Sequence, residues 1–132
     1  MNEQDVRWKQ RFRNFQKSLL YLQEALEIEN PDVIQRAGMI QFFEMTFELA
    51  WNTLKDYLQA QGFNEFKSPR SAIKKGFEID LITDGEGWLK LLEDRNLTAY
   101  AYDEVMAKEI EKLIRKKYFP LIKELFDILH QK

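Results

Sequence analysis

Apolar residues recur at three- and four-residue steps along most of the chain, the period of helices that bury one face. From about Gln4 to Ile28, the positions Trp8, Phe12, Phe15, Leu19, Leu22 and Leu26 form one apolar seam and predict a long first helix. Asn30-Pro31-Asp32 reads as the next start signal, with Asn30 as N-cap, a proline in the first turn and an acid near the positive helix end. The second helix is expected to reach about Ala60 and stop at Gly62, suited to the left-handed position after a helix, with Phe63 folding back on the last turn. Ser68-Pro69 repeats the cap-then-proline signal and starts a short third helix predicted to end near Gly76. Phe77 to Thr83 reads as a connector packed through Phe77, Ile79, Leu81 and Ile82. A fourth helix is expected from around Glu86, carrying Trp88, Leu89, Leu91, Leu92 and Arg95. From about Asp103 to His130, Val105, Ile110, Leu113, Ile114, Leu121, Leu125 and Ile128 supply the seam of a last helix that Pro120 either kinks or splits. No stretch alternates with the period of two that strands need, and no repeat or low-complexity tract occurs. The expected fold is all-α: an up-and-down antiparallel bundle of four to five helices plus a short helix, forming one domain over residues 1–132.

The second helix carries more apolar surface than one neighbour covers. Its polar positions Gln41, Glu44, Glu48, Asn52 and Lys55 fall in a narrow stripe, while Ile40, Phe42, Phe43, Met45, Phe47, Leu49, Ala50, Trp51, Leu54, Tyr57 and Leu58 occupy most of the circumference. Such a helix is either central within its own chain or covered by a second copy. In so short a chain the expectation is a homodimer or higher homo-oligomer with Phe43, Phe47 and Trp51 at the interface.

A chain of 132 residues builds one core without disulfides or a structural metal. It contains no cysteine, which excludes a thiolate metal site and a cysteine nucleophile and fits the cytoplasm. The start Met1-Asn2-Glu3-Gln4-Asp5 lacks a signal-like apolar stretch, and no run approaches the roughly 20 residues that cross a bilayer, so a soluble protein with no membrane partner is expected. Formal net charge is −2, so attraction to phosphate backbones must be local. Two basic clusters exist: Arg7, Lys9, Arg11, Arg13 and Lys17, then Lys112, Arg115, Lys116 and Lys117. Each reads as a solvated helix face or as a binding patch, the former being the commoner use.

The single histidine, His130, stands third from the end. That position argues against a Ser-His-Asp arrangement, a histidine-rich zinc site and a histidine general base in the body of the fold. No Gly-rich phosphate loop occurs. Glu44 and Glu48, one turn apart, have the geometry of a carboxylate pair, but such pairs mostly lie in solvent or pair with Lys or Arg; no metal and no cofactor are expected. Asp94 and Arg95 are adjacent and point in different directions. The segment Asp94 to Glu104 is polar and aromatic at a helix-to-helix junction. There Arg95 offers a planar charged fork suited to phosphate, Tyr100 and Tyr102 stacking faces and hydroxyls, and Thr98 a further donor. The same residues also serve as core and capping groups beside helix ends.

Several pieces recur in a recognisable order: Ile40-Gln41-Phe42-Phe43-Glu44 and Phe47-Glu48-Leu49-Ala50-Trp51, Ser68-Pro69-Arg70, Trp88, and Arg95-Asn96-Leu97-Thr98 leading to Tyr102. Over nearly its full length the chain resembles the HEPN-domain family of nucleotidyltransferase substrate-binding proteins. The resemblance implies a dimeric helical bundle, a minimal nucleotidyltransferase as partner, and binding of nucleotide or RNA. It implies contacts from Arg70, Arg95, Asn96 and Thr98. In related toxin–antitoxin pairs the HEPN member is a metal-independent ribonuclease with an Arg-x4-His-x-Tyr site, silenced when the nucleotidyltransferase adds AMP to the tyrosine. Arg95 matches the arginine and Tyr102 the nucleotidylation acceptor, but Tyr100 occupies the histidine position. Phenols titrate near pH 10 and imidazoles near about 6.5, so a catalytic pair of Arg95 and Tyr100 lacks an effective base. The preferred reading is a binding and regulatory module. A ribonuclease aided by Arg70 or Glu48 and a purely structural partner protein are the alternatives.

Overall fold

The computed structural model describes residues 2–63 and 66–132, and every regular element among them is helical. Helix α1 spans Glu3–Leu26 and opens on Asn2, whose side chain accepts from the Asp5 amide. Helix α2 spans Val33–Ala60. Its N-cap is Asp32 rather than the expected Asn30: Asp32 accepts from the Gln35 amide at 2.8 Å while the Gln35 side chain accepts from the Asp32 amide at 2.9 Å. This reciprocal box satisfies two donors, where one cap is worth about 1 kcal/mol. Asn30 instead takes a left-handed turn conformation at φ 51°, tolerable for asparagine. At the other end Gly62, at φ 94°, donates to the Gln59 carbonyl and Phe63 to that of Leu58, closing the helix as its sequence predicts.

Helix α3 spans Pro69–Glu78 behind its Ser68 cap, two residues past the predicted stop at Gly76. Gly76 is a close-packing position: a Cβ there would lie 3.2 Å from Ile82 Cδ1 and 3.3 Å from Leu54. Within the predicted connector Leu81 and Ile82 are buried as expected, Ile79 is half-buried, and Phe77 remains exposed. Helix α4 spans Gly85–Asp94, capped by Asp84, and a 3₁₀ helix follows from Arg95 to Tyr100. Helix α5 (Glu104–Leu113) passes through a π turn (Ile114–Tyr118) into α6 (Phe119–His130) without a break. Pro120 has no N–H to give its preceding turn, and the wider turn just before it, in which the Phe119 amide reaches the Ile114 carbonyl, keeps the rod continuous instead of splitting it.

Contacts fix the directions of the rods. Trp8 stacks on Tyr57, Arg11 meets Asp56, the Ser18 and Thr46 hydroxyls share a buried hydrogen bond of 2.7 Å, and Tyr21 meets Phe42, so α1 and α2 run antiparallel. Phe12 stacks on Phe126 while Arg115 reaches the Leu26 and Ile28 carbonyls, so α1 also opposes α5–α6. Arg36 bonds Glu111 and Phe43 stacks on Tyr118, making α2 parallel to α5–α6. The expected simple up-and-down order is thus modified: α3 and α4 carry the chain back along the bundle before the last rod begins.

Helix α2 is the central rod. Phe43 and Phe47, expected at a dimer interface, are 1% exposed and covered by Tyr118 and Trp88 of the same chain. Of the three residues assigned to that interface, Trp51 alone keeps accessible surface. The large apolar side chains left exposed on α1 and α2 are Val6, Leu20 and Tyr21 of the first helix and Val33, Ile34 and Met45 of the second.

Candidate functional site

The last turn of α4 and the 3₁₀ helix place two neighbouring charges on opposite sides of one wall. Asp94 turns toward the last rod, where it accepts a short hydrogen bond from the Tyr118 hydroxyl and pairs with Lys90 at 3.4 Å. Burial, followed by the hydrogen bond and charge of Asp94 and the charge of Glu93, pushes the Tyr118 phenol well above its ordinary range. It therefore stays protonated and serves as a fixed donor. Arg95 turns the other way, as adjacent helical positions must. Its guanidinium lies 5.3 Å from the centre of the Phe47 ring and its Nη1 is 2.8 Å from Glu48 Oε1.

Glu48 is the centre of this arrangement. One of its oxygens takes Arg95 and the other accepts from Trp51 Nε1 at 3.0 Å. A cavity of about 400 Å³ opens here, lined by Glu44, Phe47, Glu48, Arg95, Asn96, Thr98 and Ala99. Arg95 is one-third exposed and uses Nη1 alone in the bonds described, leaving donors of its fork for a phosphate or another anion. Glu48 is about half exposed, so its pairing with Arg95 is weak and exchangeable.

The predicted site residues divide. Arg95, Asn96 and Thr98 come together at the cavity, although the Thr98 hydroxyl donates to the Arg95 carbonyl at 2.8 Å and so braces the 3₁₀ turn. Arg70 stands exposed in the first turn of α3 and is not among the lining residues. Tyr100 is 53% and Tyr102 85% exposed, beyond the cavity rim rather than within it. Phe47 as the surface beneath Arg95 escaped sequence reasoning, because an aromatic on an apolar helix face reads as core until its neighbours are known. Glu48 carried a signal, its place in the polar stripe of α2. Among the described residues no group of three or more histidines, aspartates and glutamates gathers at metal-binding distance. The basic clusters are only partly free: Arg11 pairs with Asp56, Arg115 with Glu111 and Lys112 with Glu109, while Lys116 and Lys117 are exposed.

Comparison with known proteins agrees with this framework. A Thermus thermophilus protein of known crystal structure superposes with a TM-score of 0.78 at 30% identity, covering 86% of this chain and 96% of that one. A Haemophilus influenzae protein, described as having the fold of a substrate binding domain of a nucleotidyltransferase, superposes with a TM-score of 0.68 at 22% identity, covering 98% and 100%. The curated H. influenzae protein named "Probable ribonuclease HepT" is 29% identical over 90 residues; the match takes in 61% of this chain and spans 60% of that relative's length. The model of the family described as nucleotidyltransferase substrate binding protein like matches residues 10–131, and to that family this chain belongs.

Proposed function

We propose that the chain is the accessory, substrate-binding subunit of a minimal nucleotidyltransferase, holding a nucleotide or RNA phosphate on Arg95 and presenting Tyr102 to the partner enzyme as nucleotidylation acceptor. The observation that carries this reading is the half-open Arg95 fork over Phe47, in a cavity large enough for a phosphate group. The 85% exposure of Tyr102, on the turn just after the 3₁₀ helix, supports its role as acceptor, since a transferase must enclose the hydroxyl it modifies. Asn96, which lines the cavity, is a second phosphate donor, while Arg70 lies outside that lining. The unit is a cytoplasmic homodimer joined through Leu20, Tyr21 and Met45, with half-buried Phe42 at 5.5 Å from the Tyr21 ring.

Incubation with a purified minimal nucleotidyltransferase and labelled ATP tests the reading. Label should appear on the wild-type chain and not on Tyr102→Phe, and Arg95→Ala should weaken nucleotide binding while its helical circular dichroism is kept. Labelled Tyr102→Phe, or undiminished binding by Arg95→Ala, contradicts the assignment. A metal-independent ribonuclease is the second reading, favoured by the curated relative's name and by Arg95 beside an open cavity. RNA cleavage in the presence of a chelator, lost in Arg95→Ala, would establish it. Cleavage appearing only in Tyr100→His would mean that the fold lacks just its base.

A further inference from the structure

Two cation–aromatic pairs follow one another along α2. Arg95 lies over Phe47 at 5.3 Å, and Lys55 Nζ lies over the Trp51 ring at 5.4 Å. Phe47, Trp51 and Lys55 are four residues apart in turn, so they form one ridge, about 12 Å from first to last along the helix axis. Trp51 Nε1 donates to the same Glu48 carboxylate that holds Arg95. The other two tryptophans, Trp8 and Trp88, are 5% and 2% exposed, whereas Trp51 and Lys55 are half-exposed.

We infer that this ridge extends the Arg95 cavity into a short track for single-stranded RNA, with a base stacked on the Trp51 indole and the flanking phosphates on Arg95 and Lys55. The inference rests on the Arg95 reading above and names its ligand as a strand rather than a free nucleotide. Single-strand sites combine cations that follow the backbone with aromatic faces that take bases without regard to sequence. Here one cation rests on Phe47 and the other on Trp51, four residues further along α2, a spacing that a dinucleotide bridges and that the phosphate of a mononucleotide does not need. In the free protein each cation rests on its own ring and Arg95 also on Glu48. On binding, the incoming base displaces Lys55 from the indole toward a phosphate, and a phosphate displaces Glu48 from Arg95. Both contacts that are given up are partly open to water and therefore weak. With two phosphate contacts and a net charge of −2, the salt dependence is modest, a slope of about −0.7 per contact in log affinity against log salt.

The test titrates an unstructured RNA hexamer and, separately, AMP into the full chain and into Trp51→Leu, Trp51→Phe, Lys55→Ala and Arg95→Ala, with circular dichroism confirming that each is folded. RNA binding is read by anisotropy and base stacking by tryptophan emission. RNA should quench the wild-type emission, because Trp51 is the tryptophan within reach. Trp51→Leu should weaken RNA binding about ten-fold, as the loss of one stacked base does. Trp51→Phe should keep most of the affinity and lose the quench. Lys55→Ala should lower the salt dependence by about one counterion. AMP binding should be unaffected by the Trp51 and Lys55 variants and lost in Arg95→Ala. If Trp51→Leu and Lys55→Ala bind RNA like wild type while Arg95→Ala does not, the track is wrong and the Arg95 reading stands. If Arg95→Ala binds both ligands like wild type, the underlying reading falls and the track with it. If the wild type binds RNA without quenching, and acrylamide cannot reach Trp51, a second copy of the chain covers the ridge and the inference is overturned.

Discussion

Arg36 and Glu111 are 75 positions apart in the chain, yet Arg36 Nε lies 2.8 Å from Glu111 Oε1 and the pair joins the start of α2 to the last rod. Arg36 is 7% exposed and also bonds Glu104 and the Pro31 carbonyl. Glu111 takes Arg115 on its other oxygen, and Arg115 in turn closes the open carbonyls of Leu26 and Ile28 at the end of α1. One carboxylate thus ties three helices together.

Burial pushes the Glu111 carboxyl up, but the hydrogen bonds and charges of Arg36 and Arg115 outweigh it and hold the group below its ordinary value of 4.5. A carboxyl depressed in the folded state adds stability that is full above its unfolded pKa and is lost as pH falls through its folded one. The urea midpoint should therefore decline as pH drops below about 4.5, and Glu111→Gln should be less stable at pH 7 with a flatter acid limb. An acid limb as steep in Glu111→Gln as in wild type would remove Glu111 from the account.

Asp56 is 2% exposed, and Arg11 Nε at 3.0 Å is its charged partner. The Asp56 oxygen facing Arg11 has no aligned hydrogen bond among the described residues, so the carboxylate depends on that charge. Arg11→Met should destabilise the bundle by roughly 2–4 kcal/mol, because it strands a buried carboxylate. Arg11→Met combined with Asp56→Asn should recover part of the loss, and denaturation of the two variants measures the coupling. Equal stability of Arg11→Met and wild type would show that Asp56 is held by something else.

Two glycines should respond to alanine with opposite signs. Gly38 lies inside α2 where an added Cβ meets nothing within 4 Å, so Gly38→Ala should stabilise by about 0.5–1 kcal/mol through helix propensity. Gly62 sits at φ 94°, and Gly62→Ala should destabilise by about 1 kcal/mol. Shifts of the same sign in thermal melts would contradict the helix end described at Gly62.

The homodimer proposed through the outer face of α1 and α2 has a direct test. Leu20→Glu with Met45→Glu places two charges on a strip that is already exposed in the single chain, so the fold should survive. Light scattering should then show a dimer for wild type and a monomer for the variant. A monomeric wild type, or an undisturbed dimer in the variant, would rule out this face.

The helices were legible in the chain alone. Periodicity, the Ser68-Pro69 start and the Gly62 stop are local signals, and they succeeded because caps and turns are satisfied within a few residues. They failed where a glycine served packing instead of punctuation, as at Gly76, and where Asp32 with Gln35 outcompeted Asn30 for the cap. That Asp94 and Arg95 point in different directions was legible from their adjacency, and Asp94 meets Tyr118 while Arg95 meets Glu48. Which neighbours cover α2 was a matter for packing, since an apolar position reads the same whether its partner comes from this chain or another; Phe43 and Phe47 proved to face Tyr118 and Trp88. Packing also set Glu48, 47 positions away, against Arg95 and left Arg70 outside the cavity lining. Contacts between distant segments depend on how the rods pack, and no local pattern in the chain encodes that geometry.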